Sequence, residues 1–299
     1  MINQKLRPGW LLEADADGLR DKLGLAAASS DRMVRLLGRG AQLAAEVERL
    51  HSLGIWILTR SDEPYPVLLK GRLGTSAPPV LFGAGEPELL GRGFLAVVGS
   101  RQLDAAGEGF AEQIGEVCAK SNHVLVSGGA SGADSTSMES CLKAGGFAIA
   151  VLADSLERVV RKPGFRAAVS VGRLILVSAV HPKARFSVPN AMARNKYIYS
   201  LARYGLVVSS SLTNGGTRAG ALEVLKHRWV PLFVRVGNGV PAGNEDLVKR
   251  GAIRFPAESL QERLEEVLAK HASAWAVVPG TLRKPLSSEV VAEQIRFDV

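Results

Sequence analysis

Three glycine-rich segments carry the residue types best able to do chemistry in this chain. Gly99-Ser100-Arg101 follows the apolar run FLAVV (94–98). A residue without Cβ lets the chain turn sharply there, and a Ser hydroxyl and an Arg guanidinium can then meet an oxyanion together. Ser127-Gly128-Gly129-Ala130-Ser131-Gly132-Ala133-Asp134 follows HVLVS and leads into a helix-length segment. Glycines at such a spacing turn backbone N–H groups toward a helix N-terminus, a geometry that holds phosphate. Ser209 to Thr217, which contains Asn214-Gly215-Gly216-Thr217, repeats the arrangement after GLVVS. One loop of this kind is often only a tight strand-to-helix connection, whereas three along one sheet edge point to an anion site. Asp134, in the first turn of its helix, complements the dipole and shapes the loop, or alternatively meets a sugar hydroxyl.

A fourth segment, HPKARFSVPNAMARNKYIYSLARYG (181–205), places Lys183, Arg185, Arg194, Lys196 and Arg203 among Phe186, Tyr197 and Tyr199. Cations neutralise backbone phosphates and exposed rings stack on unpaired bases, so single-stranded nucleic acid suits both. Tyr197 and Tyr199 lie two apart in a predicted helix and cannot share a face, so at least one belongs to the core, and Phe186 is the better stacking candidate. The charge is local. From Arg158 to Arg228 there are thirteen Lys or Arg and one acid, Glu223, against a net charge of +8 for all 299 residues. A basic face of this density is the footprint expected for a polyanion.

Other chemistries find no support. No Ser/His/Asp or Cys/His arrangement is visible, and no GxxxxGK[ST] is present, so no catalytic residue and no Walker-type ATPase are expected. The GxGxxA at Gly91–Ala96 precedes its strand instead of following it, which disfavours NAD. Cys118 and Cys141 stand on apolar faces of predicted helices as buried small hydrophobes, and the five histidines (51, 123, 181, 227, 271) are scattered. No metal or cofactor is expected. No apolar run is long enough to span a membrane, and no secretory signal is evident at the start, so a cytoplasmic protein is expected.

The elements that must position these loops follow from hydrophobic patterning. FLAVV (94–98), HVLVS (123–127), FAIAVL (147–152), LILVS (174–178), GLVVS (205–209) and VPLFVRV (230–236) are continuous apolar runs separated by helix-length segments. Such runs predict strands buried on both faces, hence an α/β fold: a Rossmann-like, doubly wound, mainly parallel sheet over 94–256. Residues 1–55 read as a small helical N-terminal domain. GIWILT (54–59) reads as a short strand, and the stretch 56–93 as a whole reads as a linker or lead-in, because 62–93 carries five prolines and six glycines. Residues 257–299 read as a helical tail, with helices over 257–271 and 287–295.

VVGSR (97–101), SGGASGAD (127–134), RNKYIYSLA (194–202), NGGT…AGA (214–221) and GN…LVKRGA (243–252) occur in an order and spacing that resemble the DNA-processing protein A family, also called Smf. GIWILTRSDEPYPVLLKGRL…PPVLFGAG (54–85) resembles that family's lead-in. The resemblance implies an extended Rossmann fold that binds and protects single-stranded DNA in a basic pocket, forms a homodimer and assists loading of a RecA-type recombinase during natural transformation. Carried over by position, the DNA-contacting candidates are Arg101, Gly128, Gly129, Phe186, Arg194, Asn195 and Lys196; Gly99, Ser100, Gly215, Gly216 and Thr217 join them from the glycine-rich loops, and Lys183 and Arg185 on charge. Lys162 and Arg166, placed in the loop after 147–152, are further candidates. Two positions depart from the family: Met138 stands where a His is usual, and Gly215-Gly216-Thr217 where Ser-Gly-Ser is common. NGGTRAGALE (214–223) also resembles the signature of lonely-guy-type phosphoribohydrolases, but Glu223 falls about one helical turn beyond the catalytic place. Hydrolysis of nucleoside monophosphates is therefore the alternative, and a nucleotide-sensing module of a defence system is a third reading of the same pocket.

Overall fold

A computed structural model of the protein describes residues 8–237, 239–256, 260, 263–273 and 275. The chain divides into two compact units, Met1–Gly54 and Ile55–Val299. The first unit is helical, with α1 (Ala16–Leu23), α2 (Ala27–Leu37) and α3 (Gly40–Ser52). Asp15 caps α1 by accepting from the Gly18 N–H at 2.8 Å, and Gly24 ends the helix in the left-handed conformation at φ 64°. Leu19 of α1 and Leu50 of α3 are buried, while Leu36 of α2 and Leu43 of α3 are exposed.

The second unit is built on a sheet. Its elements in chain order are β1 (Trp56–Thr59), α4 (Val67–Leu73), β2 (Val80–Ala84), β3 (Gly93–Val98), α5 (Ala105–Lys120), β4 (Val124–Ser127), α6 (Ala133–Lys143), β5 (Phe147–Leu152) and the short α7 (Leu156–Val159). There follow α8 (Pro163–Ser170), β6 (Leu174–Ser178), α9 (Val188–Ser200), β7 (Tyr204–Val207), α10 (Gly216–His227), β8 (Leu232–Val234), α11 (Ala242–Lys249), β9 (Ile253–Arg254) and α12 (Leu264–Ala272). Among the described residues nine strands form one sheet in the order β1-β2-β6-β5-β4-β3-β7-β8-β9. The seven strands from β6 to β9 pair in parallel, and β2 joins β6 and β1 antiparallel. Every residue of β3, β4 and β6 is buried, which is why these strands are apolar throughout instead of alternating.

Residues 56–93, expected as a linker, are part of this sheet. β1 and β2 pair through Trp56 and Gly83, and a Cβ on Gly83 would sit 2.2 Å from the Trp56 ring. The Trp56 indole donates to the Gly85 carbonyl at 2.7 Å. Between the two strands, α4 sends Leu69 and Leu73 into the same core as Ala96, Val126, Ile149 and Val177 of the sheet and Ile198 of α9. Of the helix expected over 257–271, α12 forms the part from Leu264 onward, residues 257–259 and 261–262 lying outside the described residues, as does the helix expected over 287–295. Among those residues no helix is long and apolar enough to cross a membrane.

Strand order decides where a ligand can enter. From β3 the chain steps outward through β4, β5 and β6, then returns by α9 to place β7 on the other side of β3. The connections leaving β3 and β7 therefore diverge, and a crevice opens at the carboxyl ends of these two strands. Gly99-Ser100-Arg101 leaves β3 there and Ser209 to Gly215 leaves β7.

Candidate nucleic-acid interface

The crevice is a cavity of about 420 Å³. Its lining brings together Gly99, Ser100, Arg101, Asp134, Arg194, Asn195, Gly215, Gly216 and Thr217 from four separate segments, with Tyr199, Ser209, Ser211 and Asn214 completing it.

Glycines permit the segments to touch. A Cβ on Gly99 would lie 2.5 Å from the Ala133 Cβ, and one on Gly132, at φ 84°, would lie 2.2 Å from the Ser100 carbonyl oxygen. The first and second loops therefore meet backbone to backbone, and the Ala133 N–H donates to the Ser100 carbonyl at 3.2 Å. Across the crevice, the Thr217 hydroxyl donates to the Gly99 carbonyl at 2.9 Å and the Asn195 amide to the Gly216 carbonyl at 3.0 Å. Thr217 and Asn195 thus tie the N-terminus of α10 to β3 and α9. The glycine-rich signature is here the means by which three loops pack together.

α9 delivers Arg194 to the cavity. Ser187 caps this helix by accepting from the Asn190 N–H at 3.2 Å, and Pro189 stands in its first turn. At the other end Arg72 of α4, partly buried, donates through Nη1 to the Tyr199, Ser200 and Ala202 carbonyls. A guanidinium on the last carbonyls of a helix satisfies orphan acceptors and complements the dipole. Burial lowers the Arg72 pKa to about 10. Its place inside the presumed linker hid it from sequence reading.

Arg194 lies over Gly128, where a Cβ would come within 1.2 Å of its Nη1, and pairs with Asp134 Oδ2 at 3.4 Å. Both side chains are nearly buried, at 12% and 7% exposure. Burial pushes the Asp134 carboxyl above its ordinary range, and Arg194, with hydrogen bonds from the Gly99 and Gly128 backbones, acts against that rise. Arg194 Nε and the Tyr199 hydroxyl are buried without a hydrogen-bond partner. The Tyr199 phenol is pushed well up, first by burial and then by the nearby Asp134 charge.

α6 and α10 both begin at this crevice, and neither has a side-chain cap. Uncapped first-turn N–H groups carry partial positive charge and hold anions. With Arg101 exposed at the rim, the arrangement can seat a phosphate.

The remaining sequence candidates stand elsewhere. Lys162, Arg166, Lys183, Arg185 and Lys196 are not among the lining residues, and Phe186 is 55% exposed. Lys162 stands at the N-cap position of α8 without a side-chain cap bond and Arg166 lies within that helix, so this segment is helical where a loop was expected. The Ser155 N–H donates to the Ala184 carbonyl and the Glu157 N–H to the Pro182 carbonyl, so the segment bearing Lys162 adjoins the one bearing Lys183 and Arg185. Gly129 has φ 63° and shapes its loop. Of the two tyrosines, Tyr199 is the core residue, and Tyr197 is half-buried with the Lys196 ammonium 5.4 Å from its ring. Glu223, on α10, does not line the cavity. No group of three or more His, Cys, Asp or Glu among the described residues could hold a metal ion.

Sequence reasoning missed Asn244 of α11. It is fully buried, accepts from the Ser210 N–H at 2.8 Å, and donates to the Val208 and Arg235 carbonyls at 3.1 and 2.8 Å. A Cβ on Gly243 would lie 2.2 Å from the Ser210 carbonyl oxygen, so the Gly243-Asn244 pair docks α11 under the loop that leaves β7.

Comparison with known proteins adds an independent line. A family model described as DNA recombination-mediator protein A matches residues 56–267. The DNA processing protein DprA of Bacillus subtilis is 27% identical over 241 residues, covering 75% of this chain and 78% of that protein. Protein Smf of Escherichia coli is 30% identical over 203 residues, covering 66% of this chain and 53% of its own. The DprA of Mycobacterium tuberculosis is 27% identical over 232 residues, so the chain spans 57% of that relative's length. Among solved structures, DNA processing protein A of Streptococcus pneumoniae superposes with a TM-score of 0.68 at 23% identity, covering 90% of this chain and 88% of that one. DNA processing protein A of Helicobacter pylori, studied for its single-stranded DNA binding mode, gives 0.60 at 20% identity, covering 73% of this chain and 97% of that one. These two likenesses establish the fold.

Proposed function

This chain belongs to the DNA recombination-mediator protein A family, and on that premise we propose that it binds and protects single-stranded DNA, without cutting it, and hands it to a RecA-type recombinase as a homodimer. The observation that carries the reading is the crevice between β3 and β7. There Arg101, the uncapped start of α10 and the Arg194–Asp134 pair surround a space that suits a phosphate. The basic segments bearing Lys162, Arg166, Lys183, Arg185 and Lys196 extend the positive surface to further phosphates of a strand, and exposed Phe186 offers a face for an unpaired base. A non-hydrolytic role is supported by Glu223, the one carboxylate at a near-catalytic spacing, which stands outside the cavity lining.

The test is a titration with single-stranded and duplex oligonucleotides over a range of salt concentrations. Single strands are expected to bind more tightly, with affinity falling steeply as salt rises. Duplex preference or salt-insensitive binding would overturn the reading. Incubation with nucleoside monophosphates separates the hydrolase alternative, since release of free base dependent on Glu223 would replace the proposal.

A further inference from the structure

The β3–β7 cavity is small, and it has donors in reserve. Its volume of about 420 Å³ lies at the low end of the range for pockets that enclose a small molecule, which is room for one nucleotide and not for a length of strand. α10, twelve residues long, opens on it at Gly215, Gly216 and Thr217 with no side-chain cap. By contrast the first N–H of α6 is already taken by the Ser100 carbonyl.

A second, independent feature is Tyr199. Its side chain lines the cavity, the residue is 1% exposed, and its hydroxyl has no hydrogen-bond partner. A buried hydroxyl left without a partner costs free energy unless something else supplies one. The cations that suit the body of a strand, Lys162, Arg166, Lys183 and Arg185, line no part of the cavity. Cavity and basic surface therefore suit different parts of a ligand.

From the uncapped helix start, the unpartnered Tyr199 hydroxyl and the one-nucleotide volume, we infer that the cavity takes a nucleotide bearing a terminal phosphomonoester. A monoester carries close to two negative charges and three acceptor oxygens, whereas an internal phosphodiester carries one charge and fewer free oxygens. The α10 N–H groups, Arg101 and the Ser100 hydroxyl can meet that larger set of acceptors, with the unpartnered Tyr199 hydroxyl as a further donor. The same chemistry is offered by the phosphorylated end of a strand and by a free nucleoside monophosphate. The inference rests on the single-stranded DNA reading, with the basic surface holding the strand and the cavity holding its end.

The experiment compares four forms of one oligothymidylate: 5′-phosphorylated, 3′-phosphorylated, unphosphorylated, and circular. Thymidine monophosphate is added as competitor, and Tyr199→Phe is measured alongside. One phosphorylated end is expected to bind at least about tenfold more tightly than the unphosphorylated strand, which is what one added charge-assisted hydrogen bond supplies. Thymidine monophosphate is expected to remove that advantage without displacing the strand. Tyr199→Phe keeps the shape of the core and is expected to abolish the preference for the phosphorylated end. Binding of the monophosphate in the absence of any strand-end preference assigns the cavity to the free nucleotide and supports the inference in that form. Equal affinity for all four strands together with no competition overturns it, and does so separately from the proposed function, which this experiment overturns when none of the strands binds. A preference that persists in Tyr199→Phe overturns the assignment of the hydroxyl.

Discussion

Arg194 occupies the space that a side chain at position 128 would need: a Cβ on Gly128 would lie 1.2 Å from Arg194 Nη1 and 2.6 Å from Asp134 Oδ2. Gly128 has no left-handed φ, so the local backbone accepts alanine and the clash falls on the mobile end of an arginine. Gly128→Ala is expected to fold with a loss of no more than about 2 kcal/mol while displacing Arg194 and weakening single-stranded DNA binding about tenfold. Denaturant unfolding and a DNA titration check the two halves. Gly132→Ala is the contrasting variant, because φ 84° and the Ser100 carbonyl at 2.2 Å leave no route to relief, and there stability itself should fall.

Asp134 makes stability respond to acid in an uncommon direction. Burial holds its carboxyl above the ordinary 3.8, so the folded state binds this proton more tightly than the unfolded chain does. The ionised carboxylate therefore opposes folding at pH values above the raised pKa, and that opposition is relieved as pH falls through it toward 3.8. Asp134→Asn lacks this proton. Measured from neutral pH down to about pH 4, the stability of the parent protein should rise relative to the Asn variant, and a relative fall would contradict the assignment.

Removing Arg72 should disturb a site it does not line. Arg72→Ala leaves the Tyr199, Ser200 and Ala202 carbonyls without their common donor and is expected to cost about 3 kcal/mol. Because α9 carries Arg194 and Asn195, DNA affinity should fall too, and Arg72→Lys should recover part of both. Unfolding curves with DNA titrations on the three proteins provide the check.

Asn244 serves three backbone groups at the ends of β7 and β8. Asn244→Leu preserves volume while orphaning all three, and a loss of roughly 3 kcal/mol follows from leaving buried polar groups unpaired. A calorimetric melt showing an unchanged transition would refute the role.

Arg101, exposed at the mouth of the cavity, is expected to act on phosphate alone. Arg101→Ala should weaken binding to all single-stranded sequences alike and reduce the slope of log affinity against log salt by about 0.7, the value for one phosphate contact on a single strand. Sequence-dependent loss with an unchanged slope would assign Arg101 to base contact instead.

Much of this protein was legible from local pattern. The apolar runs at 94–98, 123–127, 147–152 and 174–178 have no polar alternation, and a strand covered on both faces requires that, so the parallel sheet follows from the residues themselves. The loops after β3, β4 and β7 announced themselves by glycine where chain segments must come closer than a Cβ allows. β1 was legible in the apolar run 54–59, whereas β2 was hidden because its surroundings read as turns, and the antiparallel pairing of Trp56 with Gly83 is a long-range fit that no local spacing records. Arg72 and Asn244 were hidden for the same reason, since each bonds backbone groups that any sequence possesses.

What the sequence by itself determined is a charge pattern: three glycine loops and thirteen cations against one acid across Arg158–Arg228 suit a polyanion whatever the fold. Tertiary structure alone decided which cations share a cavity. Sixty residues separate Arg194 from Asp134, and they meet because strand order reverses at β3 and α9 carries the chain back to it. Lys162, Lys183 and Arg185 are as basic as Arg194, but they stand on connections farther along the sheet and remain outside the cavity. Charge is a property of each residue; which charges act together is a property of the strand order that assembles them.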